Sequence, residues 1–296
     1  MGWRIVKIRG LLGDVWIGDD YPTRIIGVIN VSPESFYKGS VRLSYEDVAE
    51  TARKMEQDGA DVIDIGGMST APYLETSISE ETEAERISWA IEAAKSAVKI
   101  PVSADTSRLK PATAAIRAGA DIINDVRGLR AQPEIARLVA EHGLSLIVCA
   151  SNLGSLRSSS DAPMAAVKSL KESIRIAVGN GVEPNRIIVD PGIGFHRLTG
   201  LPWFEVDLSL LRGLKRLRVL GKPIIVGVSR KSFLGAITGR DRPEERLASS
   251  IAAEAMAVTL GAHGIRAHDI AEALDAVKVV EALIGRRLGE SPSRSP

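Results

Sequence analysis

The feature that most constrains the fold is an eightfold alternation. Beyond residue 24, short apolar runs of strand character are each followed by a longer stretch of helical periodicity; the runs are residues 25–30, 62–67, 102–106, 122–126, 144–150, 187–191, 223–229 and 264–269. Apolar strands joined by amphipathic crossovers are what a parallel sheet covered by helices requires. Eight such units predict an α/β chain closed into a single (β/α)8 TIM barrel. The rival, an open doubly wound sheet, would call for a glycine-rich fingerprint after the first strand, and none stands there.

The units echo one another in sequence. Gly59-Ala60-Asp61-Val62-Ile63-Asp64 returns as Gly119-Ala120-Asp121-Ile122-Ile123-Asn124 and, more loosely, as Gly261-Ala262-His263-Gly264-Ile265-Arg266. In each phrase a glycine ends a helix, a short turn follows, and a buried strand finishes in a polar residue. Residues 4–8 and 14–18 are expected as two short strands around 10–13, so that 1–24 forms an N-terminal hairpin closing the barrel bottom. The barrel is then expected over 25–288, and the Ser- and Pro-rich 289–296 as a disordered tail. The acidic run 80–85 reads as the solvated first turn of a helix, favoured by the macrodipole.

Composition excludes several classes of partner. The net charge is +1 with both signs interspersed, which leaves no basic stripe for nucleic acid. No run approaches the roughly 18 apolar residues of a membrane span. The single cysteine, Cys149, excludes an intrachain disulfide, and the N-terminus shows no charged-then-apolar leader, so the cytoplasm is the expected compartment.

Chemistry concentrates at the C-terminal ends of the strands: Asn30, Asp64, Asp105, Asn124, Asp190, Ser229, Arg266 and His268. Any one of them, Asp64 for instance, reads equally as a loop or helix cap. The set does not, because so many polar groups at a barrel's functional edge cost stability unless a network or ligand satisfies them. Asp105, Asn124 and Asp190 offer acceptors to a flat nitrogen heterocycle, and Lys231 a donor to its carbonyl. Asn30, Arg266 and His268 suit an anion; Arg266 and His268, one residue apart, form either a phosphate clamp or a structural ion pair. Phe195 either packs in the core or stacks on a planar ligand. Arg230 and Lys231 are otherwise a solvated turn. The four histidines lack metal-site spacing, with His142 at a helix end, His196 in an exposed loop and His263 in a turn between helix and strand, so no zinc cluster is expected.

With these residues in place, the chain resembles the dihydropteroate synthases and the wider pterin-binding barrels. The matching motifs are Gly27-Val28-Ile29-Asn30-Val31-Ser32-Pro33-Glu34-Ser35-Phe36, Asp64-Ile65-Gly66-Gly67, Ser69-Thr70, Asp105-Thr106, Ile123-Asn124-Asp125, residues 190–195, residues 229–233, and Arg266 with His268, in family order. The resemblance implies that Asp105, Asn124, Asp190 and Lys231 bind the pterin ring. It implies that Asn30, Arg266 and His268 hold a diphosphate, with Mg²⁺ near Asn30, and that Thr70 and Ser229 line the aminobenzoate side. Arg266, His268 and Lys231 would be the catalytic residues. The implied reaction joins 6-hydroxymethyl-7,8-dihydropterin diphosphate to p-aminobenzoate, releasing pyrophosphate, in folate biosynthesis. The helix expected over 243–260 becomes a candidate homodimer surface.

The departures lie on the acceptor side. The second loop reads Ser69-Thr70-Ala71-Pro72-Tyr73 where the family has an arginine third, Met68 stands for a glutamate, and Lys38 for an acidic residue in the first loop. After the fifth strand, residues 148–154 replace a Met-His-Met-type segment. Three readings stay open: a synthase with Lys38 or Arg42 compensating, a synthase for a modified arylamine, and a pterin-binding homologue without this activity. Methyl transfer from a methylated tetrahydropterin to a corrinoid protein is the rival activity, one that needs no diphosphate clamp.

Overall fold

The computed structural model describes residues 7–32, 37–69, 78–197 and 199–285, with the side chain of Lys38 outside that description. Thr70 and Ala71, and the tail at 289–296, lie outside the described residues. Two short strands, β1 (Arg9–Leu12) and β2 (Val15–Gly18), pair antiparallel through a two-residue turn at Gly13-Asp14. Eight parallel strands follow among the described residues: β3 (Arg24–Asn30), β4 (Val62–Gly66), β5 (Val102–Asp105), β6 (Ile122–Asp125), β7 (Ser145–Cys149), β8 (Ile187–Asp190), β9 (Ile225–Gly227) and β10 (Gly264–Ala267). Their ladder runs β8-β7-β6-β5-β4-β3-β10-β9, and a bridge between Val189 and Ile224 joins its two ends, so the sheet closes into the expected barrel.

The helices fill the crossovers: α1 (Tyr45–Gln57), α2 (Glu80–Ala97), α3 (Leu109–Arg117), α4 (Glu134–Glu141), α5 (Ala162–Gly179), α6 (Trp203–Arg212), α7 (Ser232–Thr238), α8 (Leu247–Thr259) and α9 (Ile270–Leu283). Strand residues of one parity, such as Ile25, Ile63, Ile123 and Ile265, pack outward in the main core beneath these helices. Residues of the other parity point into the barrel. At its N-terminal end Ile26, Val62, Ile122, Ile147, Ile188 and Ile225 form a second cluster with Leu12 and Ile17 of the hairpin. Each such fully buried side chain contributes about 1.5–3 kcal/mol relative to exposure, which is why β1 and β2 stay on this end. That end is stoppered with hydrocarbon; the opposite end is left for polar chemistry.

The echoed phrases are one structural device used three times. Gly59, Gly119 and Gly261 adopt φ of 102°, 98° and 101°, the left-handed region that lets the chain leave a helix and enter a strand at once. Two residues on, a side chain accepts a backbone N–H at the start of the preceding strand. Asp61 Oδ2 takes that of Ile25 at 2.9 Å, Asp121 Oδ2 that of Val102 at 2.8 Å, and His263 Nδ1 that of Ile224 at 3.0 Å. Donors that would be orphaned at the start of the ladder are thereby satisfied.

Three expectations are corrected. The first hairpin strand is Arg9–Leu12 rather than 4–8, because Leu12 is an interior plug and the turn falls after it, at Gly13 with φ 67°; residues 4–6 lie outside the described residues. The acidic run 80–85 is not solvated throughout: after the Ser79 cap, Glu83 turns onto the buried face of α2 beside Ala84 and Ile87. There its carboxylate accepts from Thr106 Oγ1 at 2.6 Å and Arg108 Nη1 at 3.1 Å. His196 is buried, not exposed, with Nε2 3.2 Å from the Pro191 carbonyl, and burial drives its imidazole down to about 4.

Candidate functional site

Residues paired across a parallel ladder point to the same face of the sheet. The registers set Asn30 beside Gly66, Gly66 beside Asp105, Asp105 beside Asn124, Cys149 beside Asp190, and Gly227 beside Arg266. All belong to the inward parity, one or two steps above the hydrocarbon plug. The polar strand ends singled out in the sequence therefore converge on one mouth.

Asp64 lies at the floor of that mouth. It is not a cap: it is buried, takes a hydrogen bond from Asn124 Nδ2 at 3.2 Å, and has Arg266 Nε 3.0 Å from its Oδ2. Arg266 crosses further to Asp190 Oδ2 at 3.5 Å, while Asp190 Oδ1 accepts the Gly192 N–H at 2.7 Å. Burial opposes the charge on Arg266, but Asp64, Asp190 and Asp105 outweigh it and hold the guanidinium protonated. Burial, reinforced by the charge of Asp64, pushes the Asp105 carboxyl well above the usual range. The network remains incomplete. Asp64 Oδ1, Asp105 Oδ1, Asn124 Oδ1 and Arg266 Nη2 are all buried without a hydrogen-bond partner among the described residues, a costly arrangement that a ligand with complementary donors and acceptors would relieve.

Lys231 enters from the loop between β9 and α7. Its Nζ donates to the Ile193 carbonyl and stands 4.8 Å from the centre of the Phe195 ring. Phe195 is partly exposed, so its ring is an edge of the mouth rather than core. Arg230, its neighbour in sequence, is withdrawn from the site. It pairs with Asp269 at 2.7 and 2.8 Å, donates to the carbonyls of Pro243 and Glu244, and lies 4.6 Å from the ring centre of Tyr37. The adjacent cations are thus one site residue and one structural residue, and neither is a solvated turn.

His268 stands apart from Arg266. It meets the edge of Tyr37 at 5.0 Å between ring centres, and its backbone N–H donates to Ser229 Oγ at 3.3 Å. Burial holds its imidazole near 4, so at neutral pH it is an uncharged ring, and the positive charge around it comes from Arg230 and Lys231. Ser229 is thus placed beside the His268 backbone.

At the tip of β3, Asn30 Nδ2 donates to Ser40 Oγ at 2.8 Å, leaving Oδ1 directed over Gly66, where a side-chain carbon would meet it at 3.1 Å. Gly66 keeps that approach open. A neutral amide oxygen at the mouth fits a Mg²⁺ that arrives with a phosphate group better than a resident metal, and among the described residues no three His, Cys, Asp or Glu side chains group as ligands. Arg42 is already committed: Nε donates to Thr51 Oγ1 at 2.6 Å and Nη1 to the carbonyls of Gly39 and Val41. It staples the first loop. Thr70 and Ala71 cannot be placed, being outside the described residues.

Sequence reasoning undervalued three residues. Asp64 could have been found from its parity, two positions after the inward-facing Val62. Tyr37, beside His268 and Arg230, and Asp207, whose Oδ1 accepts the Gly194 N–H at 2.7 Å, carried no local signal. Cys149 faces inward opposite Asp190, but burial raises its thiol well above the ordinary range, so it is an apolar wall rather than a nucleophile.

The family described as pterin binding enzyme matches residues 26–268. A dihydropteroate synthase of Synechocystis is 36% identical over 266 residues, covering 88% of this chain and 90% of that protein. The solved structure of Xanthomonas albilineans dihydropteroate synthase with 4-aminobenzoic acid superposes with a TM-score of 0.82 at 33% identity, over 94% of this chain and 99% of that one. The same enzyme in complex with 7,8-dihydropteroate gives 0.79 at 32%, over 93% and 98%.

Proposed function

Since the chain belongs to the pterin-binding enzyme family, among the dihydropteroate synthases, we infer that it condenses 6-hydroxymethyl-7,8-dihydropterin diphosphate with p-aminobenzoate to form dihydropteroate and pyrophosphate. The observation that carries this reading is the set of unpartnered buried atoms on Asp64, Asp105, Asn124 and Arg266. Donors and acceptors in that arrangement suit the edge of a pterin, with Lys231 supplying a donor for its carbonyl and Phe195 an aromatic edge. A transferase reading over methyl transfer is supported by the synthase relatives, and a carboxylated arylamine by the relative's complex with 4-aminobenzoic acid.

The chemistry asks little of the protein in proton transfer. As the methylene C–O bond breaks, its electron pair leaves with the diphosphate and the electron-rich pterin stabilises the positive charge on carbon. The arylamine nitrogen forms the C–N bond and releases its proton. Arg266 stabilises the departing anion, His268 donates a hydrogen bond to it, and the carboxyl groups of Asp105 and Asp190 stabilise the cationic ring. Ser229 and Thr70 are read as the aminobenzoate side. A Mg²⁺ held by Asn30 Oδ1 would supply further charge neutralisation to the diphosphate.

Release of pyrophosphate on mixing the pterin diphosphate with p-aminobenzoate tests the reading directly, and activity is expected to fall when Mg²⁺ is withdrawn. Binding of the pterin without pyrophosphate release from any arylamine would reduce the protein to a pterin-binding homologue. A homodimer is supported by Met256 of α8 and Val279 and Leu283 of α9, large apolar side chains in solvent on two helices that pack together; sedimentation at monomer mass would refute it. A cytoplasmic location is supported by a lone buried thiol, and cell fractionation tests it. Among the described residues no helix is long and apolar enough to cross a membrane.

A further inference from the structure

The turn after β8 is held from behind by a residue that no ligand would touch. Asp207 lies in α6, fully buried, and its Oδ1 accepts the Gly194 N–H at 2.7 Å. Gly194 has φ 92°, and a side-chain carbon there would lie 2.9 Å from Lys231 Cδ, so this backbone is in contact with the lysine's aliphatic chain. The two residues flanking Gly194 hold the other end of the same side chain, with Ile193 offering its carbonyl to Nζ and Phe195 its ring. Asp207 therefore anchors the turn at residues 193–195 that holds Lys231.

We propose that Asp207 is a positioning residue, which fixes the Lys231 ammonium by pinning residues 193–195 and by opposing its charge from the second layer of the barrel. This rests on the synthase reading, in which Lys231 binds the pterin. Lys231 is faced by Asp190 of β8, Cys149 of β7, Arg266 of β10, His196 in the turn, His268 after β10, and Asp207 itself. Burial lowers the lysine, and Asp190 and then Asp207 act against that. Asp207, faced by Lys231 and Arg197, is pushed up to about 6 by its own burial, against the Gly194 hydrogen bond and the two cations. Its charge is thus present through the neutral range and lost in mild acid.

Two variants separate charge from scaffold. Asp207→Asn keeps an acceptor for Gly194 but removes the charge; the alkaline limb of kcat/KM for the pterin diphosphate is expected to move down by roughly one pH unit, since an opposite charge nearby raises a lysine by about that much, and an acid limb near pH 6 should disappear. Asp207→Ala loses the anchor as well and should lower kcat/KM for the pterin roughly tenfold, the scale of one positioning contact, with KM for the arylamine unchanged. A merely structural residue would lower activity equally at every pH. An Asp207→Asn profile superimposable on wild type would overturn the proposal, whether or not the Ala variant folds. If the wild-type protein releases no pyrophosphate at all, the synthase reading fails; the pH dependence of pterin binding, followed by the ligand's fluorescence in wild type and Asp207→Asn, then decides the role of Asp207 by itself.

Discussion

Arg266→Ala is expected to lower turnover at saturating substrate by about 10³-fold, the upper end of what one lost transition-state donor costs. Two roles combine in that side chain. Its Nη2 is buried and, among the described residues, unpartnered, a cationic donor in a mouth where His268 is neutral. Its Nε and Nη1 stand 3.0 and 3.5 Å from Asp64 and Asp190. Removing it therefore also leaves two buried carboxylates without their counter-ion, which costs on the order of 3–5 kcal/mol when a buried pair is broken. Part of that penalty is relieved by protonation, so the Ala variant should bind pterin with a steeper dependence on pH as well as turn over slowly. Arg266→Lys, which restores charge but not the two-sided geometry, should recover stability more fully than rate. Pyrophosphate release and thermal melting measured on the same preparations check both parts. If Arg266→Ala remained within threefold of wild type at saturation, the leaving-group role would belong elsewhere.

The parts of this molecule that sequence made legible are those governed by short-range periodicity. Eight apolar runs of strand length and three recurrences of a Gly-Ala-(Asp/His) phrase sufficed for the barrel, because the glycines at 59, 119 and 261 do the same local work in each turn. Strand parity likewise carries the site. Asn30, Asp105, Asn124, Asp190 and Arg266 end strands at positions that must face inward once the alternating positions are buried under helices. What escaped was decided by tertiary contact. Glu83 sits in an acidic run that local rules assign to solvent, yet Thr106 and Arg108, more than twenty residues away, draw it inside. His196 has no sequence neighbour that demands burial; the Pro191 carbonyl and the covering elements provide it. The hairpin slipped because two apolar residues, Leu11 and Leu12, stand where glycines at 10 and 13 suggested a loop, and only the barrel interior distinguishes plug from turn.

The acceptor side shows the same division. A missing arginine in the second loop invited compensation by Arg42, and the amino-acid type alone could not exclude it. In the fold Thr51, Gly39 and Val41 occupy Nε and Nη1 and make that guanidinium a strut for the first loop. Loop residues take their roles from what they fold against, so their identity is weaker information than that of a residue at a fixed parity on a strand.

A buried acid that the reaction does not use leads to the second large effect: Glu254→Gln should stabilise the protein, increasingly so as pH rises. Glu254 belongs to α8 and is 1% exposed; both carboxyl oxygens are buried and lack a geometrically sound hydrogen-bond partner. Burial pushes it up to about 8, the charge of Asp269 adds to this, and the nearby Ser229 hydroxyl and Arg230 only partly offset it. Its folded value lies above the ordinary 4.5, so the native state prefers the protonated acid. The stability it contributes is then fully present below about pH 4.5, falls as pH rises through the interval, and is lost once pH passes about 8. Gln reproduces the neutral acid's shape and cannot ionise. Wild type and variant should thus melt together near pH 4.5 to 5 and diverge towards pH 8.5, where the variant gains on the order of 5 kcal/mol at 1.36 kcal/mol per pH unit of displaced ionisation. For a chain of this size that is a rise of roughly 8 °C in Tm. Because Glu254 lies behind Ser229 and Arg230 rather than in the mouth, turnover at neutral pH should change little. Parallel melting curves at pH 5 and pH 8.5 settle the matter: an equal Tm offset at both would mean that Glu254 acts through packing and not through its proton.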